Sequence, residues 1–131
     1  MRYPVAIEPG DDSRAWGVVV PDLPGCFSAG DTLDEAIEKA REAIELHIDG
    51  LLDDGEAVPI ARPVGEHQAR AEFSGWIWAV VEIDPAMLDD QVARVNITLP
   101  RRVLSRLDRS AKAAGETRSG YIARLAIGGH V

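Results

Sequence analysis

Residues 18–45 read VVVPDLPGCFSAGDTLDEAIEKAREAIE, and the apolar period changes inside them. Just upstream, Trp16, Val18 and Val20 alternate on one face of the run 15–20, as in a half-buried strand. Pro21-Asp22-Leu23-Pro24-Gly25 then forces a turn, because each proline fixes φ and removes a backbone donor. Cys26-Phe27-Ser28 reads as a brief strand after it. From Thr32 the period is helical. Thr32-Leu33-Asp34-Glu35 is a capping box, in which each side chain satisfies a backbone N–H at the helix start. Leu33, Ala36, Ile37, Ala40, Ala43, Ile44, Ile48, Leu51 and Leu52 follow at the spacing of one buried stripe, predicting a helix over 32–52.

Outward from this core, residues 3–7 form a further apolar run, closed by the turn signal Pro9-Gly10-Asp11-Asp12-Ser13. Gly55 is a natural helix stop. Asp49, Asp53, Asp54 and Glu56 crowd the C-terminal end of the helix, where carboxylates oppose the helix dipole by roughly 0.3–1 kcal/mol each when exposed. Such an end is either simply solvated or the place where a basic partner docks. Residues 57–74 read as a proline- and charge-rich connection, and 75–83 (GWIWAVVEI) as a last strand. The expected order is β-β-β-α-β, a small α+β domain over residues 1–84, followed by a linker at 85–92.

Residues 93–131 form a second module of strand–helix–helix pattern. In Arg94-Val95-Asn96-Ile97-Thr98-Leu99 the apolar residues take one face and Arg94, Asn96 and Thr98 the other. Pro100 suits the start of a helix whose stripe is Val103, Leu104, Leu107, Ala111 and Ala114, closed by Gly115. Thr117 can cap a second helix, with Tyr121, Ile122, Leu125 and Ala126 as its stripe and Gly128-Gly129 as its stop. A lone strand cannot satisfy its own backbone, so a homodimer is expected, with the two strands paired antiparallel over four helices. The polar faces would then join into one ribbon. Such a ribbon fits the DNA major groove, where Arg reads guanine and Asn reads adenine. The second helix brings Thr117, Arg118 and Ser119 to its N-terminus, where free N–H groups suit a phosphate.

Charge divides in the same way. Over all 131 residues the formal net charge is -8, which on average repels nucleic acid. Residues 1–91 carry 6 basic and 20 acidic side chains, a balance of −14; residues 92–131 carry 8 basic and 2 acidic, a balance of +6. A hydrophobic fraction of 46% excludes wholesale disorder. The single Cys26 excludes an intrachain disulfide, and His47, His67 and His130 lack metal-ligand spacing, so no metal or other cofactor is expected. With no signal-type apolar run and none long enough to span a membrane, a cytoplasmic protein is expected.

Two resemblances follow. Residues 94–127, with R-V-N-I-T-L-P, R-V-L-S-R-L and G-E-T-R-S-G-Y-I, resemble the ribbon–helix–helix repressors of MetJ, Arc and CopG type, which read DNA with a β-ribbon. The resemblance implies base contacts from Arg94, Asn96 and Thr98, and a phosphate-anchoring turn at Thr117, Arg118 and Ser119. Gly120 departs from the pattern, since a better helix former is usual there. The stretch 18–45, with P-D-L-P-G-C and G-D-T-L-D-E-A, resembles the HicB family of bacterial antitoxins, over roughly residues 3–60. That resemblance implies a degenerate RNase H-like fold. It implies a first domain that blocks a small basic HicA-like ribonuclease toxin, and a second that represses the operon by binding operator DNA. It leaves the toxin-contact residues unassigned. Unpaired sheet edges leave room for a higher oligomer.

Two other functions compete. The first domain could sense a small ligand in a ribbon–helix–helix repressor, or it could be a residual ribonuclease. A two-metal nuclease needs carboxylates converging from strand centres, and Val5-Ala6-Ile7 supplies none. Asp11, Asp12, Asp22 and Asp31 stand in turns, where acids are ordinary. Cys26 and His47 read as packed residues, and Trp16, Trp76 and Trp78 as core or sheet-face residues. The expectation is therefore a protein that is not an enzyme.

Overall fold

The computed structural model describes residues 1–89 and 91–128. The chain separates into two compact units, Met1–Asp90 and Gln91–Val131. Each is described by itself.

The first unit is a four-stranded antiparallel sheet with a long helix on one face. Its strands are β1 (Arg2–Glu8), β2 (Trp16–Val19), β3 (Phe27–Gly30) and β4 (Ile77–Glu82), in the order β3-β2-β1-β4. The meander is as the sequence reads. The last strand returns antiparallel along the free side of β1, with Val5 opposite Ala79. Helix α1 (Leu33–Asp53) starts where the capping box predicts, with Thr32 Oγ1 accepting from the Glu35 backbone N–H at 3.1 Å. The Glu35 carboxyl is held below its usual range first by Lys39 and then by the backbone N–H of Asp31. The helix closes at Gly55, with the Glu56 N–H bonded to Leu51 O at 2.8 Å.

Successive strand residues face opposite ways, so Tyr3, Val5 and Ile7 share a face with Val18, Val20 and Val81. Ala36, Ala40, Ile44 and Ile48 of α1 fill that face. Ile44 and Ile48 are fully buried, each stabilising by about 1.5–3 kcal/mol. Gly30 is needed where the helix begins: a Cβ there would lie 2.5 Å from the Ala36 backbone N. The other sheet face is covered too. Ala6 is fully buried and lies opposite Val19 and Trp78. Trp78 meets Phe73 edge-on and stacks on His67. The stretch 57–74 is thus a strap, containing α2 (Val64–Gln68) and a 3-10 turn at Ala71–Phe73, that packs Val58 and Ala61 against the helix-side core and brings His67 and Phe73 to the other face. The sequence reads it as a mere connection. The expected linker also begins inside this unit: Pro85–Leu88 is a 3-10 turn, and Met87 and Leu88 pack against the core.

The second unit holds α3 (Arg101–Ala113) and α4 (Arg118–Gly128). Pro100 stands at the N-cap of α3, one place before the expected first turn, and its carbonyl accepts from the N–H groups of Val103 and Leu104. The strand expected at 94–99 is not formed: residues 91–100 carry no regular element in the single chain. A strand exists only with a partner, and this unit offers none among its described residues. Its stripes are half-open, and Ala111 is the one buried side chain described there. The expected stop at Gly129, His130 and the linker residue Asp90 lie outside the described residues.

Candidate functional site

In the first unit the Pro21–Gly25 turn aims Asp22 inward. Gly25 makes this possible at φ 85°, a left-handed conformation that side chains disfavour. Asp22 Oδ1 lies 3.0 Å from His67 Nε2, and Oδ2 accepts the Arg62 backbone N–H at 3.1 Å. Both side chains are buried. A carboxylate only accepts, so Nε2 carries the shared proton. Tyr3 completes the tie, its hydroxyl donating to Pro59 O at 2.7 Å. Burial and the charge of Asp22 push the Tyr3 hydroxyl up. The strap and the turn enclose a cleft of 690 Å³, walled by Pro21, Pro24, Pro59 and Ile60 with Arg62, Arg70 and the Asp22–His67 pair. Arg70 pairs with Glu72, and its guanidinium carbon lies 5.0 Å above the Phe73 ring.

This site is missed in the sequence, where Asp22 reads as an ordinary turn acid. Asp11 is one: its carboxylate accepts from the Ser13 N–H and hydroxyl, which holds it below its usual range. Cys26 is buried, and burial pushes its thiol up to about 11, the opposite of what a nucleophile needs. His47 is half-buried on α1. Trp16 packs against the core, and Trp76 and Trp78 both meet Phe73 edge-on. No group of three or more His, Cys, Asp or Glu placed to hold a metal occurs among the described residues. No described helix is long and apolar enough to cross a membrane. Along α1, Asp34, Glu38, Glu42, Glu45, Asp49 and Asp53 recur at three- and four-residue spacing, one acidic stripe opposite the buried one.

In the second unit Arg94, Asn96 and Thr98 are all exposed. So are Val95 and Ile97, at 74% and 62%. Arg94, Val95 and Ile97 line a groove of 750 Å³ with Arg118, Ser119 and Ile122 of α4, and Thr98 adjoins Arg118 in a smaller one. Asn96 lines neither. Thr117 Oγ1 accepts from the Gly120 N–H at 3.0 Å, capping α4 as expected. A Cβ at Gly120 would sit 3.1 Å from that oxygen, so a side chain there would require the cap to shift by a few tenths of an ångström. Arg118 is already engaged: Nε and Nη2 donate to the two oxygens of Asp108 at 2.7 and 2.9 Å.

Comparison with known proteins bears on both units. The family described as HicB_like antitoxin of bacterial toxin-antitoxin system matches residues 3–126. A 14.9 kDa protein of the rep-hol intergenic region of Haemophilus phage HP1 (strain HP1c1) is 41% identical over 128 residues, covering 96% of this chain and 95% of its own length. The crystal structure of Burkholderia pseudomallei antitoxin HicB superposes with TM-score 0.63 at 41% identity, over 97% of this chain and 96% of that one. A chain of the HicA3 and HicB3 toxin-antitoxin complex matches with TM-score 0.57 at 31% identity, over 65% of this chain and all 100% of its own. The chain belongs to the HicB-like antitoxin family of bacterial toxin–antitoxin systems.

Proposed function

We propose that this protein is the antitoxin of a type II pair, a cytoplasmic protein that acts by binding and not by catalysis. The first unit binds and blocks a small basic ribonuclease toxin of HicA type. The match to a chain from a HicA3–HicB3 complex supports this most directly, since that chain is covered over its whole length. Charge supports it as well. The 1–91 balance of −14 and the acidic stripe of α1 attract a basic RNA-binding protein and compete with its RNA.

The second unit dimerises as a ribbon–helix–helix and represses its own operon. The supporting observation is the state of that unit in one chain. Val95 and Ile97 are exposed beside half-open helices, in a piece near the size that cannot fold alone. Pairing two copies through residues 94–99 covers those apolar faces and turns Arg94, Asn96 and Thr98 outward toward base edges. Thr117, Arg118 and Ser119 then stand at the phosphates.

The test is co-expression with the small basic protein encoded beside this gene. Copurification and loss of toxicity are expected. Residues 1–91 alone should neutralise the toxin without shifting operator DNA in a gel. A shift by that fragment, or no neutralisation by the full chain, overturns this division of labour.

A further inference from the structure

The first unit is poor in cations, and they are unevenly placed. Of its six basic side chains, Arg62 and Arg70 stand at one cleft, with His67 in the wall. We propose that this cleft between the Pro21–Gly25 turn and the strap is a binding site for a small oxyanion, a phosphate or a carboxylate group.

The anchoring groups are held in advance. Arg70 rests on the Phe73 ring and pairs with Glu72, so its guanidinium is held in place and an entering anion competes with Glu72 for it. The Arg62 backbone is tied to Asp22 Oδ2, and its guanidinium makes no ion pair among the described residues. His67 is fixed on two sides, by Asp22 at Nε2 and by Trp78 stacked at 11° to its plane. Asp22 keeps its negative charge in the cleft wall, though each of its oxygens already accepts from a donor, so the guanidiniums have to outweigh its repulsion of an entering anion. Guanidinium forks match the geometry of oxyanions and form short charge-assisted bonds with them. Pro24 and Ile60, the latter 81% exposed, offer apolar surface to the body of the ligand. The 690 Å³ volume suits a small molecule. The inference concerns binding alone and stands apart from the antitoxin reading.

The experiment follows the backbone amide NMR spectrum of the full chain during titration with inorganic phosphate and, separately, with benzoate. Saturable shifts are expected at residues 22–24, 60–62 and 67–70. Arg62→Ala should lower the apparent affinity about tenfold or more, with Arg62→Lys losing less. Arg70→Ala, on a separate rim of the cleft, should weaken binding too. Saturation by phosphate only assigns a phosphate site, and by benzoate only a carboxylate site. Shifts confined to α3 and α4, shifts that never saturate, or unchanged affinity in both alanine variants overturn the proposal.

Discussion

His67 Nε2 stands 3.0 Å from Asp22 Oδ1, a buried contact across 45 positions of sequence that ties the strap to the turn after β2. The same carboxylate holds the Arg62 N–H, so one side chain fixes two points of the strap. Asp22→Ala would strand a buried imidazole and a backbone donor together. Leaving a buried donor without its acceptor costs about 1–3 kcal/mol. A loss of that size is expected in urea unfolding of the first unit. Asp22→Asn keeps an acceptor and should lose less. A change within about 0.5 kcal/mol for Asp22→Ala would show that the strap holds without the tie.

Cys26 gives a chemical check on the same region. Its thiol is 3% exposed and pushed up to about 11 by burial. A thiol raised in this way stays protonated until the pH climbs toward that value, so its reactivity rises only on the alkaline side. In the native protein at pH 8, a thiol-specific reagent should therefore react far more slowly than after denaturation. Equal rates in the two states would contradict the packing of the turn.

The α1 helix was legible because its signals are local: a capping box, a stripe and a glycine, all within one stretch of chain. The meander was legible for the same reason. Asp22 and His67 were not, because an Asp between prolines is what any turn would show, and their contact joins positions 45 residues apart. The strap left a faint trace, in that Val58, Ala61, Val64 and Phe73 interrupt an otherwise polar run. Their spacing follows neither the strand nor the helix period, since Val58 and Ala61 pack against the helix-side core while Phe73 meets Trp76 and Trp78. The second unit fails in the opposite sense. Its alternation reads plainly as a strand, yet that strand needs hydrogen bonds that one chain does not contain.

Arg94 and Asn96 carry the base-reading part of the proposed function. Alanine at either position should weaken operator binding by about 1–3 kcal/mol, the worth of a bidentate base contact. Toxin binding should be unchanged, since both residues belong to the second unit. If both variants repress like the parent protein, the ribbon is not the reader.

Asp108 competes for the arginine proposed to meet a phosphate. The hydrogen bond from Arg118 holds its carboxyl below its ordinary value of 3.8. A depressed folded pKa means that the pair is complete above that ordinary value and is lost only as pH falls through the lower one. It is therefore fully formed at neutral pH. Asp108→Asn should release Arg118, raise DNA affinity and steepen its salt dependence by about one phosphate contact. Lower affinity would mean that Asp108 positions Arg118 for the phosphate.

Ile97 separates the shared-ribbon proposal from a self-sufficient second unit. In one chain it is 62% exposed, so Ile97→Lys disturbs little within that chain. In a paired ribbon the same position lies on the covered face, and two lysines would be buried together without partners, at a cost of several kcal/mol. Sedimentation should find the parent protein dimeric and the variant shifted toward monomer. DNA binding should fall with the dimer, while toxin neutralisation by the first unit persists. A variant that stays dimeric and still binds its operator would mean that the second unit does not associate through residues 94–99.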